Sequence, residues 1–367
     1  MKNKSKIRII ISGGGTAGHI FPALSIADYI KKEYNSDFLF IGARKRMEIQ
    51  KVQKSGYKIS AIWIDGLQRK FSFRNLILPL KLFVSFFQSL YYLITYRPNI
   101  VIGTGGFVSG PVLFTASLIG IPTLIHEQNS FPGITNKILS KFVNTVCVSY
   151  PGFNRFFKNR KVVFSGNPVR KKLKEKVSKK KSAAYFKLRF EEPIILIIGG
   201  SLGAEPINKI ICKHLGLIKK ESFQLIWQTG NFHYQKYKHL ESYNVKIFNF
   251  IDHMNFAYAA ADIVISRAGA IAISEICLLK KASILIPSPH VSENHQYENA
   301  KSLADNLATC LIKEKSLEKL FWDKLKYLIN DEGFRKKMSD NAFSFGHHNA
   351  EKIITEEVVR LLDSQVI

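Results

Sequence analysis

Residues 7–34 read IRIIISGGGTAGHIFPALSIADYIKKEY, and residues 194–218 read IILIIGGSLGAEPINKIICKHLGLI. Each stretch opens on a β-branched run, turns through glycines and continues with helical spacing. Near-continuous Val/Ile/Leu runs mark strands buried on both faces, and their alternation with helices points to parallel sheets. Working outward, FLFIG, IVIG, TLIHE and VCVSY follow the first stretch, while QLIWQTG, VKIFNF, DIVISRAG and ASILIPSP follow the second. The pattern starts twice. The expected fold is therefore α/β, with two doubly wound parallel-sheet domains in tandem that face a cleft. The lysine-dense segment from Arg170 to Lys181 reads as a solvated linker or the surface start of the second domain, giving domains at 1–168 and 169–345. Residues 346–367 contain the amphipathic NAEKIITEEVVRLLDS, a helix able to pack back on the first domain.

The chain has 367 residues, enough for two or three domains with full cores. Apolar residues make up 46% and charged residues 22%, which excludes wholesale disorder. The 54 Lys and Arg exceed the 28 Asp and Glu, a net charge of +26 that favours anionic partners. Cys147, Cys212, Cys277 and Cys310 lie far apart without a Cys-x-x-Cys pair, so a disulfide framework is not expected. The opening MKNKSKIRIII has too short an apolar run for a signal peptide, so a cytosolic protein is expected.

Residues 13–18 satisfy G-x-G-x-x-G, yet FLFIG ends in Ala43, Arg44, Lys45 and Arg46 rather than in the acid of a dinucleotide site. Arg44 is suited to a 2′-phosphate, which keeps an NADP-dependent oxidoreductase as an alternative. The Walker spacing fails because position 19 is His instead of Lys. Three further turns also end strands: Gly103, Thr104, Gly105 and Gly106; residues 199–203; and Ser266 to Gly269. Amides at a helix start hold phosphate oxygens, and glycine permits close approach, so four such turns point to two phosphorylated ligands. His19 opens the first helix, where the dipole disfavours the imidazolium; a packing or capping role is the plainer reading. Glu275 interrupts the apolar AGAIAISEICLL, either as acceptor for a ribose diol or as a first-turn residue favoured by the dipole. The histidines show no metal-ligand spacing, no Asp-x-Asp pair occurs, and neither metal nor cofactor is expected.

Between Arg74 and Arg97 the sole charge is Lys81, in LILPLKLFVSFFQSLYYLITY. Lys81, Ser85, Gln88, Tyr92 and Thr95 draw a polar stripe along a helix. The reading lies between a helix buried on a sheet, an interfacial helix and a membrane span. Arg69, Lys70, Arg74, Lys81 and Arg97 favour the interfacial one.

GGGTAGHIFPALSIA, GTGGFVSGPVLFTASLIGIPTLIHEQNSFPGITNK, SGNPVR, GGSLGAEPIN, FIDHMNFAYAAADIVISRAGAIAISE and HQYENA occur in this order. In them the chain resembles the MurG-type N-acetylglucosaminyltransferases nearly end to end. The resemblance implies a GT-B architecture of two Rossmann-like domains. It implies inverting transfer of N-acetylglucosamine from UDP-N-acetylglucosamine (UDP-GlcNAc) to the 4-hydroxyl of undecaprenyl-diphosphate-linked N-acetylmuramoyl-pentapeptide (lipid I), making lipid II. By motif match it places the donor at Ile251, Ala270, Ile271, Ala272, Ile273, Ser274 and Glu275, with Ser201 and Arg170 at the diphosphate and Gln296 at the sugar. Thr16, Ala17, Gly18 and Asn129 complete that site. Gly14, Gly15, Gly103, Thr104, Gly105 and Gly106 are candidates for the acceptor diphosphate. His19 is the candidate base, with Glu127 as the second. Ala17 replaces the family's glycine and Leu202 its glutamine, which bears on affinity. The expected location is the cytoplasmic face of the inner membrane, docked through residues 71–97 on an anionic leaflet, with no nucleic-acid partner. A nonenzymatic basic protein binding nucleic acid or lipid is the remaining alternative.

Overall fold

The computed structural model describes residues 6–66, 76–157, 160–200, 202–218, 220–291 and 294–364. The chain divides into a unit of residues 1–170 with 349–367 and a unit of residues 171–348. In the first, β1 (Ile7–Ser12), β2 (Ser36–Ala43), β3 (Lys58–Ile62), β4 (Ile100–Gly103), β5 (Thr123–Glu127), β6 (Thr145–Val148) and β7 (Lys161–Phe164) form one parallel sheet, ordered β3-β2-β1-β4-β5-β6-β7. In the second, β8 (Ile194–Ile198), β9 (Gln224–Gln228), β10 (Val245–Phe248), β11 (Ile263–Ser266), β12 (Ala282–Leu285) and β13 (Cys310–Leu311) form another, ordered β10-β9-β8-β11-β12-β13. Both halves are doubly wound parallel sheets, as the two repeated stretches imply.

The β-branched runs sit where two-sided burial requires them. Ile9 and Ile11 face one core layer, with Ile20, Ile26 and Ile30 of the Ala17–Glu33 helix. Ile10, between them, faces the opposite layer with Val112 and Leu113 of the Ser109–Leu118 helix. Fully burying each such side chain contributes about 1.5–3 kcal/mol. The Ala350–Asp363 helix packs on the Ala17–Glu33 helix, inserting Ile354, Val358 and Leu361 into the first layer. Its buried Glu351 accepts the Val169 N–H at 3.0 Å.

Chain order reverses between β1 and β4 in one sheet and between β8 and β11 in the other. At such a switch point the loops beyond the carboxyl ends of adjacent strands splay and leave room for a ligand. The four anion-ready turns of the sequence are the turns after β1, β4, β8 and β11. They therefore fall two to a switch point.

The Leu78–Tyr96 helix reverses the burial expected of a core helix. Ser85 and Ser89 are 0% exposed, and each hydroxyl donates to its own helix, Ser85 to Leu82 O and Ser89 to Ser85 O. Gln88 accepts the Trp63 N–H at 2.7 Å, and Lys81 pairs with Asp65. The stripe from Lys81 to Tyr92 thus faces the protein, with Thr95 exposed at its end, while Phe83 (63%), Phe87 (51%) and Tyr91 (63%) face outward with Leu80 and Ile94. One side is packed, with Leu93 in the second core layer beside Ile62 and Val101, but no sheet among the described residues covers the outer apolar face. Lys81, spent on Asp65, is also withdrawn from the set of surface cations. Arg69, Lys70 and Arg74 lie outside the described residues, as do residues 71–75.

Replacing Ile354 with Ala leaves a cavity in the first core layer and should lower the stability of the first unit by about 2–5 kcal/mol. Amide exchange in β1 and β2 should accelerate in this variant while exchange in β8 and β9 stays as in wild type.

Candidate functional site

At the first switch point the two glycine turns are stitched into one structure. Thr104 N–H donates to Ser12 O at 2.9 Å, and Gly14 N–H donates to Gly105 O at 3.3 Å. A Cβ on Gly106, at φ +83°, would stand 2.2 Å from Gly14 O, and one on Gly13 would stand 1.9 Å from Thr104 Oγ1. Glycine here is a condition of contact between the turns.

His19 is partly buried in this junction. Its Nδ1 lies 2.9 Å from Gly14 O and 3.2 Å from Thr16 Oγ1. A carbonyl oxygen only accepts, so Nδ1 carries the proton and Nε2 keeps the lone pair. The ring edge bearing Nε2 lies over Gly105, where an added Cβ would be 3.2 Å from that nitrogen. Burial holds the His19 pKa below the usual histidine value, opposed by the Gly14 bond and the charges of Glu127 and Glu48. The neutrality expected from the helix N-terminus is thus present, with burial as its main cause.

Glu127, at the end of β5, is buried and fully occupied. Its Oε1 accepts from Asn129 N (3.0 Å) and Nδ2 (3.2 Å), and its Oε2 from Gly133 N (3.0 Å) and Asn136 Nδ2 (2.8 Å). A carboxylate offers about four acceptor positions. All are taken, and the carboxylate ties down the loop carrying Asn129 while its charge favours the protonated form of His19.

Among the other first-unit candidates, the Gly14 N–H is spent on Gly105, and the Gly15 N–H donates to Glu48 Oε2 at 3.2 Å. Gly103 belongs to β4, and the Thr104 N–H bonds Ser12. Gly105 and Gly106 retain N–H groups without a partner among the described residues. Ala17 and Gly18 open the Ala17–Glu33 helix, and Thr16 gives it no side-chain cap; the His19 and Ile20 amides bond Thr16 O (3.1 and 3.3 Å), so the amides of Ala17 and Gly18 remain available. Ala17 is absent from the positive-φ positions; the left-handed residue of this turn is Gly15 at +83°. The alanine is therefore accommodated without backbone strain. Arg170 lies over the Phe21 ring, 5.0 Å from its centroid.

In the second unit, Gly203 N–H closes a turn onto Gly200 O at 3.1 Å. Gly230 presses on that turn: its Cβ would come within 2.1 Å of Gly203 N. Gln228 links three pieces, donating from Nε2 to Gly200 O (3.1 Å) and accepting Ile251 N–H at Oε1 (2.9 Å). Leu202 is exposed, and Ser201 lies outside the described residues. The Ala270–Leu278 helix begins at Gly269 without a side-chain cap, leaving the amides of Ala270, Ile271 and Ala272 at its open end. Ile273 is buried behind them, and Ser274 Oγ donates back to Ala270 O at 2.9 Å. Glu275 is in the second turn, which removes the first-turn dipole explanation; it is 4% exposed, and Tyr258 OH donates to its Oε2 at 3.0 Å. Gln296 accepts Ser288 N–H at 2.8 Å through its carbonyl oxygen, so its amide NH2 is the end suited to hydroxyl oxygens. Arg267, in the fourth turn, is turned onto Glu314 (2.7 Å) and Ile286 O (3.2 Å).

Glu48, Asn136, Gln228, Gly230 and Tyr258 were not singled out from sequence. Glu48 sits in the charged run RKRMEIQ, where a carboxylate reads as surface. Gly42 is the signal that could have found it, since a Cβ there would be 2.7 Å from Glu48 Cγ.

His126, fully buried beside Glu127, is held at a pKa of about 4 by burial, opposed by its bond to Gly166 O. Its unfolded value is higher, so the unfolded state binds more protons between about pH 4 and 6.5, and stability rises with pH across that window. Urea unfolding should show on the order of 3 kcal/mol lost on acidification from pH 7 to pH 4 through this group. His126→Gln should remove that part of the slope; an unchanged slope would show the imidazole to be solvated.

Residues 9–148 match the glycosyltransferase family 28 N-terminal domain, and residues 194–360 match the glycosyltransferase family 28 C-terminal domain. Over 361 residues the chain is 44% identical to a protein of Flavobacterium psychrophilum named UDP-N-acetylglucosamine–N-acetylmuramyl-(pentapeptide) pyrophosphoryl-undecaprenol N-acetylglucosamine transferase, covering 98% of each. A protein of the same name from Christiangramia forsetii is 43% identical, covering 99% of this chain and 100% of that one. The crystal structure of Acinetobacter baumannii MurG superposes with a TM-score of 0.76 at 27% identity, covering 97% of this chain and 100% of that one. These names lend no support to the oxidoreductase or nucleic-acid alternatives. Matched in both halves and aligned end to end, the chain belongs to glycosyltransferase family 28 as a MurG-type N-acetylglucosaminyltransferase of GT-B fold.

Proposed function

We infer that the protein moves N-acetylglucosamine from UDP-GlcNAc to the 4-hydroxyl of a lipid-diphosphate-linked N-acetylmuramoyl-pentapeptide, with His19 as the base. The observation that carries the residue assignment is the tautomer at the first switch point. With Nδ1–H committed to Gly14 O, the Nε2 lone pair is the group able to take the hydroxyl proton. That oxygen bonds to the anomeric carbon as the carbon–oxygen bond to UDP breaks, and UDP leaves with the electron pair. The geometry of Glu127 supports a supporting role: four donors hold it, and its charge favours the imidazolium formed in the step.

For the donor, the open N-terminus of the Ala270–Leu278 helix suits a diphosphate, and Glu275 suits the ribose hydroxyls, its carboxylate oriented by Tyr258. For the acceptor, the amides of Gly105 and Gly106 suit the lipid-side diphosphate. The exposed face of the Leu78–Tyr96 helix suits peripheral docking on the leaflet that holds a polyprenyl chain, its aromatic rings entering the headgroup region.

Titration with UDP-GlcNAc and with its ADP counterpart should show selective binding of the first. Glu275→Ala should weaken it by roughly tenfold to a hundredfold, the loss of one charge-assisted hydrogen bond. Equal binding of both nucleotides, or an unaffected Glu275→Ala, would overturn the donor assignment. His19→Ala should keep donor affinity while losing at least about a hundredfold in turnover. For docking, Phe83→Ser/Phe87→Ser/Tyr91→Ser should remain folded but lose sedimentation with anionic vesicles; undiminished sedimentation would place the docking surface elsewhere.

A further inference from the structure

Glu48 is a carboxylate with no accessible surface, on the second residue of the Met47–Lys54 helix. Its Oε1 accepts Ala43 N–H at 3.1 Å and its Oε2 accepts Gly15 N–H at 3.2 Å. Among the described residues it forms no ion pair, and the nearby Arg46 is engaged with Asp65. Two glycines make room for it: Cβ atoms on Gly14 and Gly42 would lie 2.4 Å from its Oε1 and 2.7 Å from its Cγ. Burying a charge without a counterion is costly, and the carboxylate rests on two amides and the N-terminus of its own helix. One of those amides belongs to the peptide unit on which His19 depends. The Gly15 N–H that Glu48 accepts and the Gly14 C=O that accepts His19 Nδ1–H are the two ends of a single peptide bond.

We propose that Glu48 is a positioning residue for His19, acting through the Gly14–Gly15 peptide as an interposed link between carboxylate and imidazole. Hydrogen bonding at N–H draws electron density toward the carbonyl oxygen of the same amide, so that oxygen accepts more strongly. The link fixes Nδ1 as the protonated nitrogen, directs Nε2 to the substrate side and offsets part of what burial does to the ring's basicity. Glu48 takes no proton. The proton leaving the acceptor hydroxyl bonds to Nε2, Nδ1–H stays in place, and the peptide transmits charge stabilisation only. The groups acting on the ring's charge are Glu48 from the Met47–Lys54 helix, Glu127 from β5, and the Gly14 carbonyl of its own loop. The proposal rests on His19 as base for its catalytic consequence, while its physical content is tested on the ring itself.

The experiment is a pH series from 4.5 to 8 on the full-length protein, following His19 ring and Gly15 amide resonances by NMR beside the pH profile of kcat/KM. In wild type the Gly15 amide should shift with the midpoint of His19. In Glu48→Gln, which keeps one acceptor and loses the charge, the His19 midpoint should fall by roughly one unit. A weaker base transfers the proton less readily, so kcat at neutral pH should fall roughly tenfold with donor KM unchanged, and the acid limb should move with the ring. An unchanged His19 midpoint in Glu48→Gln overturns the proposal. So does a wild-type Gly15 amide insensitive to His19, a readout that survives if the variant does not fold. A ring midpoint that moves while the kinetic limb stays fixed supports the link and overturns His19 as base.

Discussion

Backbone touches backbone where the turn after β1 meets the turn after β4, and the functional arrangement of the first unit depends on that contact. The Gly14 N–H reaches Gly105 O, and Gly106 passes so near the Gly14 carbonyl that no side chain fits between them. Because the turns are joined, the Gly14 carbonyl is fixed in space, and His19, bonded to it, inherits that position. Two amides expected to serve a ligand are consumed in making the junction, and those of Gly105 and Gly106 are left without a partner among the described residues. Binding capacity is thus traded for geometry within a few residues.

The second unit solves the same problem with different parts. Gly230 lies against the turn after β8, and Gln228 ties that turn to the backbone at Ile251 with one amide group. A neutral side chain does here what direct backbone contact does in the first unit. Arg267 in the turn after β11 is held by Glu314, so charge at this end is contributed mainly by helix amides and by the buried Glu275.

Most of the architecture was legible because two-sided burial leaves an unambiguous mark: Ile9, Ile10 and Ile11 in one half and IILII in the other have no polar face to display, and their repetition announced two parallel sheets. The turns were legible because glycine is needed at positive φ, as at Gly15, Gly105 and Gly106. What periodicity could not give was direction. The stripe of Lys81, Ser85 and Gln88 was visible, yet whether it faced solvent or protein depended on Asp65 and the Trp63 amide, which are distant in sequence. Glu48 was hidden for a related reason. Its burial is made by spaces at Gly14 and Gly42, and an empty space has no letter. Glu127 was the second base candidate from sequence, but its four donors come from Asn129, Gly133 and Asn136, a loop and the helix after it, which only the fold brings onto the carboxylate.

Gly106→Ala is the sharpest test of whether contact between the two glycine turns builds the reactive geometry of the first unit. The added methyl meets the Gly14 carbonyl at a φ that alanine disfavours, displacing Gly14 and with it His19. The variant should be a folded protein of reduced thermal stability, with UDP-GlcNAc affinity near wild type and turnover lower by roughly a hundredfold, the cost of misplacing a reacting group by about an ångström. Turnover equal to wild type in a variant whose structure shows the turns separated would contradict it.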